Sequence, residues 1–242
     1  MLKLIAHRGA SKVRPENTLE SLHYASSLGA DAVECDVQPT RDGHLVIFHD
    51  NTLQRLAGVD AAVDSVTEDE MRAALKAKGR DLLTFDGLLA EYTGTAPVLL
   101  HIKHPLGEAF AKKVGGSRFP IIAGVQSLES LAEMRRELPR ERILAFMPSR
   151  EPYREFSAGG AGIIRLWQQW LPFPAGDGEI TPDTVREVCG GEVWIMMWRK
   201  GDGALSTMDG NAQDLDAIAN LRADGVLLND IEMGLAWRRA QL

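Results

Sequence analysis

Only two cysteines occur in the 242 residues, Cys35 and Cys189, and they form no CxxC or finger-like spacing. That excludes a disulfide scaffold and a zinc knuckle, and leaves both as packed thiols. Lysine and arginine never gather into a run and the net charge is −7, so a general attraction to nucleic acid or to anionic membranes is not expected. Any anionic ligand must be held by local basic side chains. No stretch approaches the roughly 20 apolar residues of a membrane span, and the apolar part of the opening MLKLIAHRGA is too short for a signal peptide. The expectation is a cytoplasmic protein without stable membrane insertion. No Pro/Ser-rich linker or low-complexity segment marks a domain boundary. With 45% apolar and 25% charged residues, the chain can bury a substantial core.

What is present is a recurring short apolar run rich in β-formers: LKLIAH (2–7), ADAVECDV (30–37), HLVIFHD (44–50), APVLLHIK (96–103), FPIIAGV (119–125), RILAFM (142–147), GIIRLW (162–167), EVWIMMW (192–198) and DGVLLND (224–230). Helix signals fall between most of them. Asn17 stands as a capping residue before Leu19, Leu22 and Leu28, with Gly29 as a stop, and Thr67 with Glu70 forms a capping box. Ser127, Thr181 and Asn211 open similar segments. Alternating strands and helices imply parallel strands joined by crossovers. About eight such units in a chain near this length predict a single-domain (β/α)8 TIM barrel, ahead of a doubly wound open sheet. The irregular segments 51–66 and 168–180 are the expected site loops.

In either architecture ligands bind at the carboxyl ends of the strands. The polar residues falling there are His7 and Arg8, Glu34 and Asp36, His49 and Asp50, His101 and Lys103, Gln126 and Ser127, Arg165, and Asn229 with Asp230. Glu34 and Asp36, two apart on a strand, share one face roughly 6–7 Å apart at the backbone. If their tips converge to about 4 Å they repel by roughly 4 kcal/mol at an effective dielectric near 20. A hard divalent cation resolves this; so does an ion-pair network with Arg8 and Lys103. His7 and His49 suit proton transfer on opposite sides of a reacting phosphorus, and the Arg8 fork matches phosphate oxygens. Gly9 suits a close approach of backbone to a ligand.

The stretch HRGASKVRPENTLESLHYASSLGADAVECDVQPTRDGHLVIFHDNTLQR (7–55) resembles the N-terminal signature of the glycerophosphodiester phosphodiesterase family: HRG, PENT, GAD with ExD, a DG turn, then HD followed by TL and R. Later echoes keep their order, with IK at 102–103, QSLESL at 126–131 and ADGVLLND at 223–230. The resemblance implies a (β/α)8 barrel that hydrolyses glycerophosphodiesters to glycerol 3-phosphate and an alcohol with a divalent metal. It implies Glu34 and Asp36 as metal ligands, His7 and His49 as the general acid/base pair, and Arg8 and Lys103 as phosphate-binding residues. Glu16 and Asn17 then buttress the PENT turn, Asn17 capping the first helix, and a small insertion at about 51–95 shapes the substrate entrance. The expected partner is a small-molecule phosphodiester and not nucleic acid.

One position departs from the family pattern. The fourth strand usually ends in ExK, its Glu a third metal ligand, and here VLLHIK puts His101 in that place. His101 is then expected as the third ligand, keeping Mg²⁺ or Ca²⁺ in view and shifting preference toward Mn²⁺ or Zn²⁺. Its other possible roles are a hydrogen bond to substrate or a metal site that has been lost. Two alternatives to the main activity follow: an enzyme of lysophospholipase D type acting on another glycerophosphate ester, and a catalytically silent barrel that binds phosphate esters. Trp167, Trp170 and Trp198 sit near strand ends, where an apolar or cationic leaving group could stack.

Overall fold

The structure is a computed structural model and describes every residue except 148, 150, 173–177, 179, 201–205, 208 and 242. The expected site loop at 168–180 therefore lies partly outside the described residues. Eight parallel strands form the frame: β1 (Lys3–Ala6), β2 (Ala32–Pro39), and, after the return strand β3 (Leu45–Ile47), β4 (Val98–Ile102), β5 (Ile121–Val125), β6 (Ile143–Ala145), β7 (Ile163–Trp167) and β8 (Glu192–Met196). A short antiparallel ribbon of β9 (Arg199–Lys200) and β10 (Ser206–Thr207) precedes the last barrel strand, β11 (Gly225–Leu228). β1 pairs with both β11 and β2, which closes the sheet into a (β/α)8 barrel. No helix among the described residues is long and apolar enough to cross a membrane.

The period of two along each strand sorts the side chains. Ile5, Ala32, Leu99, Leu144, Phe146, Ile163, Trp194, Met196 and Leu227 fill the lumen. Their neighbours, among them Leu4, Val33, Cys35, Leu100, Ile164 and Val226, pack outward into the larger cluster under the helices. This phase decides where the chemistry points. Glu34 and Asp36 follow Ala32 into the lumen while Cys35 goes out, His7 follows Ile5, His101 follows Leu99, Arg165 follows Ile163 and Asn229 follows Leu227. Both cysteines are free and buried, as expected of packed thiols.

The 44–50 run differs from the other eight. β3 pairs antiparallel with the end of β2, Val37 opposite Ile47, so it adds no barrel strand. β2 overshoots the barrel, turns at Asp42–Gly43 with Gly43 at φ +79, and β3 carries the chain back to the mouth. Val46, Phe48, Leu53, Ala57, Val63, Met71, Leu75 and Leu82 form a separate apolar cluster there.

The first helix, Leu19–Leu28, is capped differently from expectation. Thr18 is the N-cap, its hydroxyl accepting from Ser21 N at 3.2 Å, and Gly29 at φ +93 ends the helix. Asn17 is left-handed at φ +58 and buried, with its amide engaged elsewhere. The remaining caps fall where the sequence places them: Thr67 with Glu70, Ser127, Thr181 and Asn211.

Candidate active site

β2 and β4 lie side by side with Asp36 opposite His101, so the acid pair and the imidazole meet at the lumen mouth. Glu34 and Asp36 are fully buried. Their ligand atoms and one nitrogen of His101 lie within 4.8 Å of one another. His101 Nδ1 is 3.0 Å from Asp36 Oδ1 and 4.0 Å from Glu34 Oε1. Glu34 Oε2 accepts from the Arg8 backbone N–H at 2.8 Å, but Oε1 is buried without a hydrogen-bond partner among the described residues. A buried carboxylate oxygen left unmet is costly, and a cation beside it removes the cost. The donor set of two carboxylates and an imidazole fits a divalent ion.

The charges of the pair are driven apart. Burial first, then the charge of Asp36, push Glu34 well above the ordinary carboxylate range. Burial acts upward on Asp36 as well, but the His101 hydrogen bond and the charges of His101 and Lys103 outweigh it and hold Asp36 well down. Burial also lowers His101 below its usual value. A neutral His101 acts on Asp36 mainly through its Nδ1–H. Lys103 Nζ is 3.6 Å from Asp36 Oδ1 and donates to the His49 carbonyl. Gln126 Nε2 lies 2.7 Å from His101 Nε2. If Gln126 turns its Oε1 to that nitrogen, Nε2 keeps the proton and Nδ1 presents a lone pair to the acids.

The two other histidines are oriented by separate partners. His7 Nδ1 is 2.8 Å from Asn229 Oδ1, and Asn229 Nδ2 donates to Asp209 Oδ1 at 3.3 Å. A carboxylate only accepts, so Asp209 sets the amide orientation, and Asn229 in turn places the proton of His7 on Nδ1. Nε2 is then a free lone pair, 3.9 Å from Glu34 Oε2. Burial, helped by the charge of Arg8, lowers His7 to about 3. His49 Nδ1 meets Asp50 Oδ1 at 2.7 Å. Asp50 also accepts from Arg55 Nε at 2.6 Å, and although burial opposes it, these bonds hold its carboxyl far below the usual range. His49, Asp50, Asn51, Lys103, His104 and Gln126 line a cavity of about 420 Å³ beside the cluster. A cavity of about 470 Å³ near Pro15, Thr18 and Leu82 is lined by Glu16 and Asn17 but by none of Glu34, Asp36, His7, His49 and His101.

Arg8 sits at φ +56. Its Nη1 donates to Glu16 Oε1 at 3.0 Å, and its Nε is 3.8 Å from Asp36 Oδ2. Glu16 also binds Arg55, linking the first loop to the segment after β3. Gly9 is needed for a reason the sequence did not suggest. At φ +75, a Cβ there would stand 2.3 Å from Ser21 Oγ, so the close approach is to the first helix and not to a ligand. Two participants escaped the sequence reading. Phe146 stacks on His101 at 3.9 Å, and its place next to Met147 at a strand end was the available signal. Asp209 lies in a segment with no periodicity to mark it.

A closed parallel barrel with its polar groups at the carboxyl-terminal mouth defines a TIM-barrel protein of the kind that carries a site there. The sequence model of the Glycerophosphoryl diester phosphodiesterase family matches residues 7–136, more than half of the chain, and the chain belongs to that family. A probable glycerophosphodiester phosphodiesterase 1 of Mycobacterium tuberculosis is 36% identical over 118 residues, 43% of each chain. The match thus spans less than half the length of that relative. Among solved structures, a glycerophosphodiester phosphodiesterase from Thermotoga maritima aligns with a TM-score of 0.73 at 21% identity over 98% of both chains. A phosphodiesterase of Oleispira antarctica, in complex with the product sn-glycerol-3-phosphate, aligns with a TM-score of 0.70 at 18% identity over 99% of this chain and 96% of that one. These two likenesses carry the fold through the part of the chain beyond residue 136.

Proposed function

We propose that this chain hydrolyses glycerophosphodiesters to glycerol 3-phosphate and an alcohol, with a divalent ion held by Glu34, Asp36 and His101. The observation that carries the reading is the unmet Glu34 Oε1, buried 4.0 Å from His101 Nδ1 at the strand ends where His7, Arg8 and Lys103 converge. The bound ion supplies charge stabilisation of the phosphoryl oxygens. With two carboxylates instead of three, Mn²⁺ and Zn²⁺ compete with Mg²⁺ and Ca²⁺ for the site.

The remaining steps belong to the chain. Arg8 and Lys103 bind the phosphoryl oxygens, Arg8 through its Nε, which is buried with no hydrogen bond among the described residues. His7 offers Nε2 as proton acceptor from the nucleophile, either water or the neighbouring glycerol hydroxyl. His49, with Asp50 against Nδ1 to stabilise the imidazolium, returns a proton to the leaving alkoxide. The segment 51–95 borders the entrance, and Arg55 ties it to Glu16 and Asp50.

Metal-stripped protein incubated with glycerophosphodiesters and a series of divalent ions should release glycerol 3-phosphate only when an ion is restored. His7→Ala and His49→Ala should each lower turnover by roughly 10²–10⁴-fold. Full activity in both variants, or turnover indifferent to added ions, overturns the reading. A lysolipid run in parallel separates a lysophospholipase D-type preference.

A further inference from the structure

Arg165 is a buried lumen cation that the proposed reaction does not use. It lies on β7, in phase with Ile163, and is 3% exposed. Nη2 donates to the Met147 carbonyl at 3.0 Å. Among the described residues, Nε and Nη1 are buried with no hydrogen-bond partner and Arg165 has no carboxylate within ion-pair distance. Arg8 and Lys103, by contrast, stand 3.8 and 3.6 Å from the carboxylate of Asp36. Burial lowers Arg165 to about 9, which leaves it charged near neutral pH. Two unmet donors on a buried cation point to an anionic ligand.

The surroundings say where that ligand comes from. The guanidinium lies 5.1 Å from the Phe146 ring, 4.5 Å from Trp167 and 5.9 Å from Trp170. Phe146 also stacks on His101, so Arg165 is one ring removed from the acid and imidazole cluster. That is within reach of a short leaving group on a phosphorus held there. The same aromatic faces that could receive a quaternary ammonium already face a resident cation, and a second positive charge beside it in a poorly hydrated site is repelled.

We propose that Arg165 receives a second negative charge, a carboxylate or phosphate monoester on the leaving alcohol, and so selects anionic over cationic leaving groups. This rests on the hydrolase reading above. An anion reaching Nε and Nη1 displaces one of the packed rings. Trp170, on the single 3-10 turn Gln168–Trp170 outside the barrel strands, has the least backbone anchoring of the three.

The test uses three esters of glycerol 3-phosphate, with 3-hydroxypropanoate, 1-butanol and choline as leaving alcohols, on the metal-loaded enzyme. The carboxylate ester should exceed the butyl ester in kcat/KM by about tenfold or more, with the choline ester lowest. Arg165→Gln should bring the carboxylate and butyl esters level, and Arg165→Lys should keep part of the preference. Equal rates for the three esters, a choline ester hydrolysed best, or an unchanged order in Arg165→Gln overturns the assignment. Should Arg165→Gln fail to fold, the order in the unsubstituted enzyme decides. Calorimetric binding of the same esters keeps the two readings distinct. Charge-ordered affinity without turnover overturns the hydrolase reading and supports the Arg165 site, whereas equal affinities overturn the Arg165 site whatever the turnover.

Discussion

Asn17 holds Asp36 from two sides. Its Nδ2 donates to Asp36 Oδ2 at 3.1 Å, and its Oδ1 accepts from the Asp36 backbone N–H at 3.2 Å. The left-handed backbone at φ +58 makes this possible, and asparagine is among the few non-glycine residues that tolerate it. Asn17→Ala strips both bonds, leaves a buried N–H unmet and adds backbone strain. The expected loss is about 2–4 kcal/mol in denaturant unfolding. Asn17→Asp should be at least as damaging at neutral pH, because it sets a new carboxylate about 3 Å from the one on Asp36. A loss under about 0.5 kcal/mol in either variant would mean that the pairing contributes little. The residue type at 17 was plain in the sequence, yet its role was not. An Asn ahead of an apolar period satisfies the capping rule as well as Thr18 does, and only the backbone angle separates them.

At the scale of elements, the caps were the most legible feature. The box at Thr67 and Glu70 is complete, with Thr67 N donating to Glu70 Oε2 and Glu70 N donating to Thr67 Oγ1. Thr67→Ala should cost about 1 kcal/mol, read as a shift in unfolding midpoint with the slope unchanged; no shift would mean that the Glu68–Lys76 helix is held by Met71 and Leu75 alone. The direction of β3 was less legible. Apolar alternation reports that a strand exists and which side it buries, but it is blind to whether the strand runs with or against its neighbour. The Asp42–Gly43 pair was the available hairpin signal. Its consequence is functional, since the antiparallel return brings His49 over the mouth, where the Phe48 N–H donates to the Asp36 carbonyl at 3.0 Å.

At the scale of the molecule, the proposed ion ties His101 of β4 to the two buried acids of β2, Glu34 and Asp36, which otherwise repel. Anything that binds only the folded state stabilises it by mass action, about 2.7 kcal/mol at a hundredfold excess over Kd. For a domain of this size that is a rise of roughly 5–10 °C in melting temperature. Thermal unfolding with and without chelator should show this rise, and Glu34→Gln should abolish it without need of any substrate. An unsubstituted protein whose melting temperature ignores divalent ions at millimolar concentration would argue that Arg8 and Lys103 alone neutralise the pair.

The amino-acid order by itself determined the barrel, most of its caps and the set of polar residues at its mouth, because local period, turn chemistry and strand-end position are properties of short stretches. Only the tertiary structure decided which of those residues meet. The Asn229 bond to His7 spans 222 positions and the His101 bond to Asp36 spans 65, and only closure of the barrel left Arg165 as a cation without a counter-charge among the described residues. Partners so far apart along the chain are chosen by the register of strands around the barrel, and that register comes from the packing of the whole core.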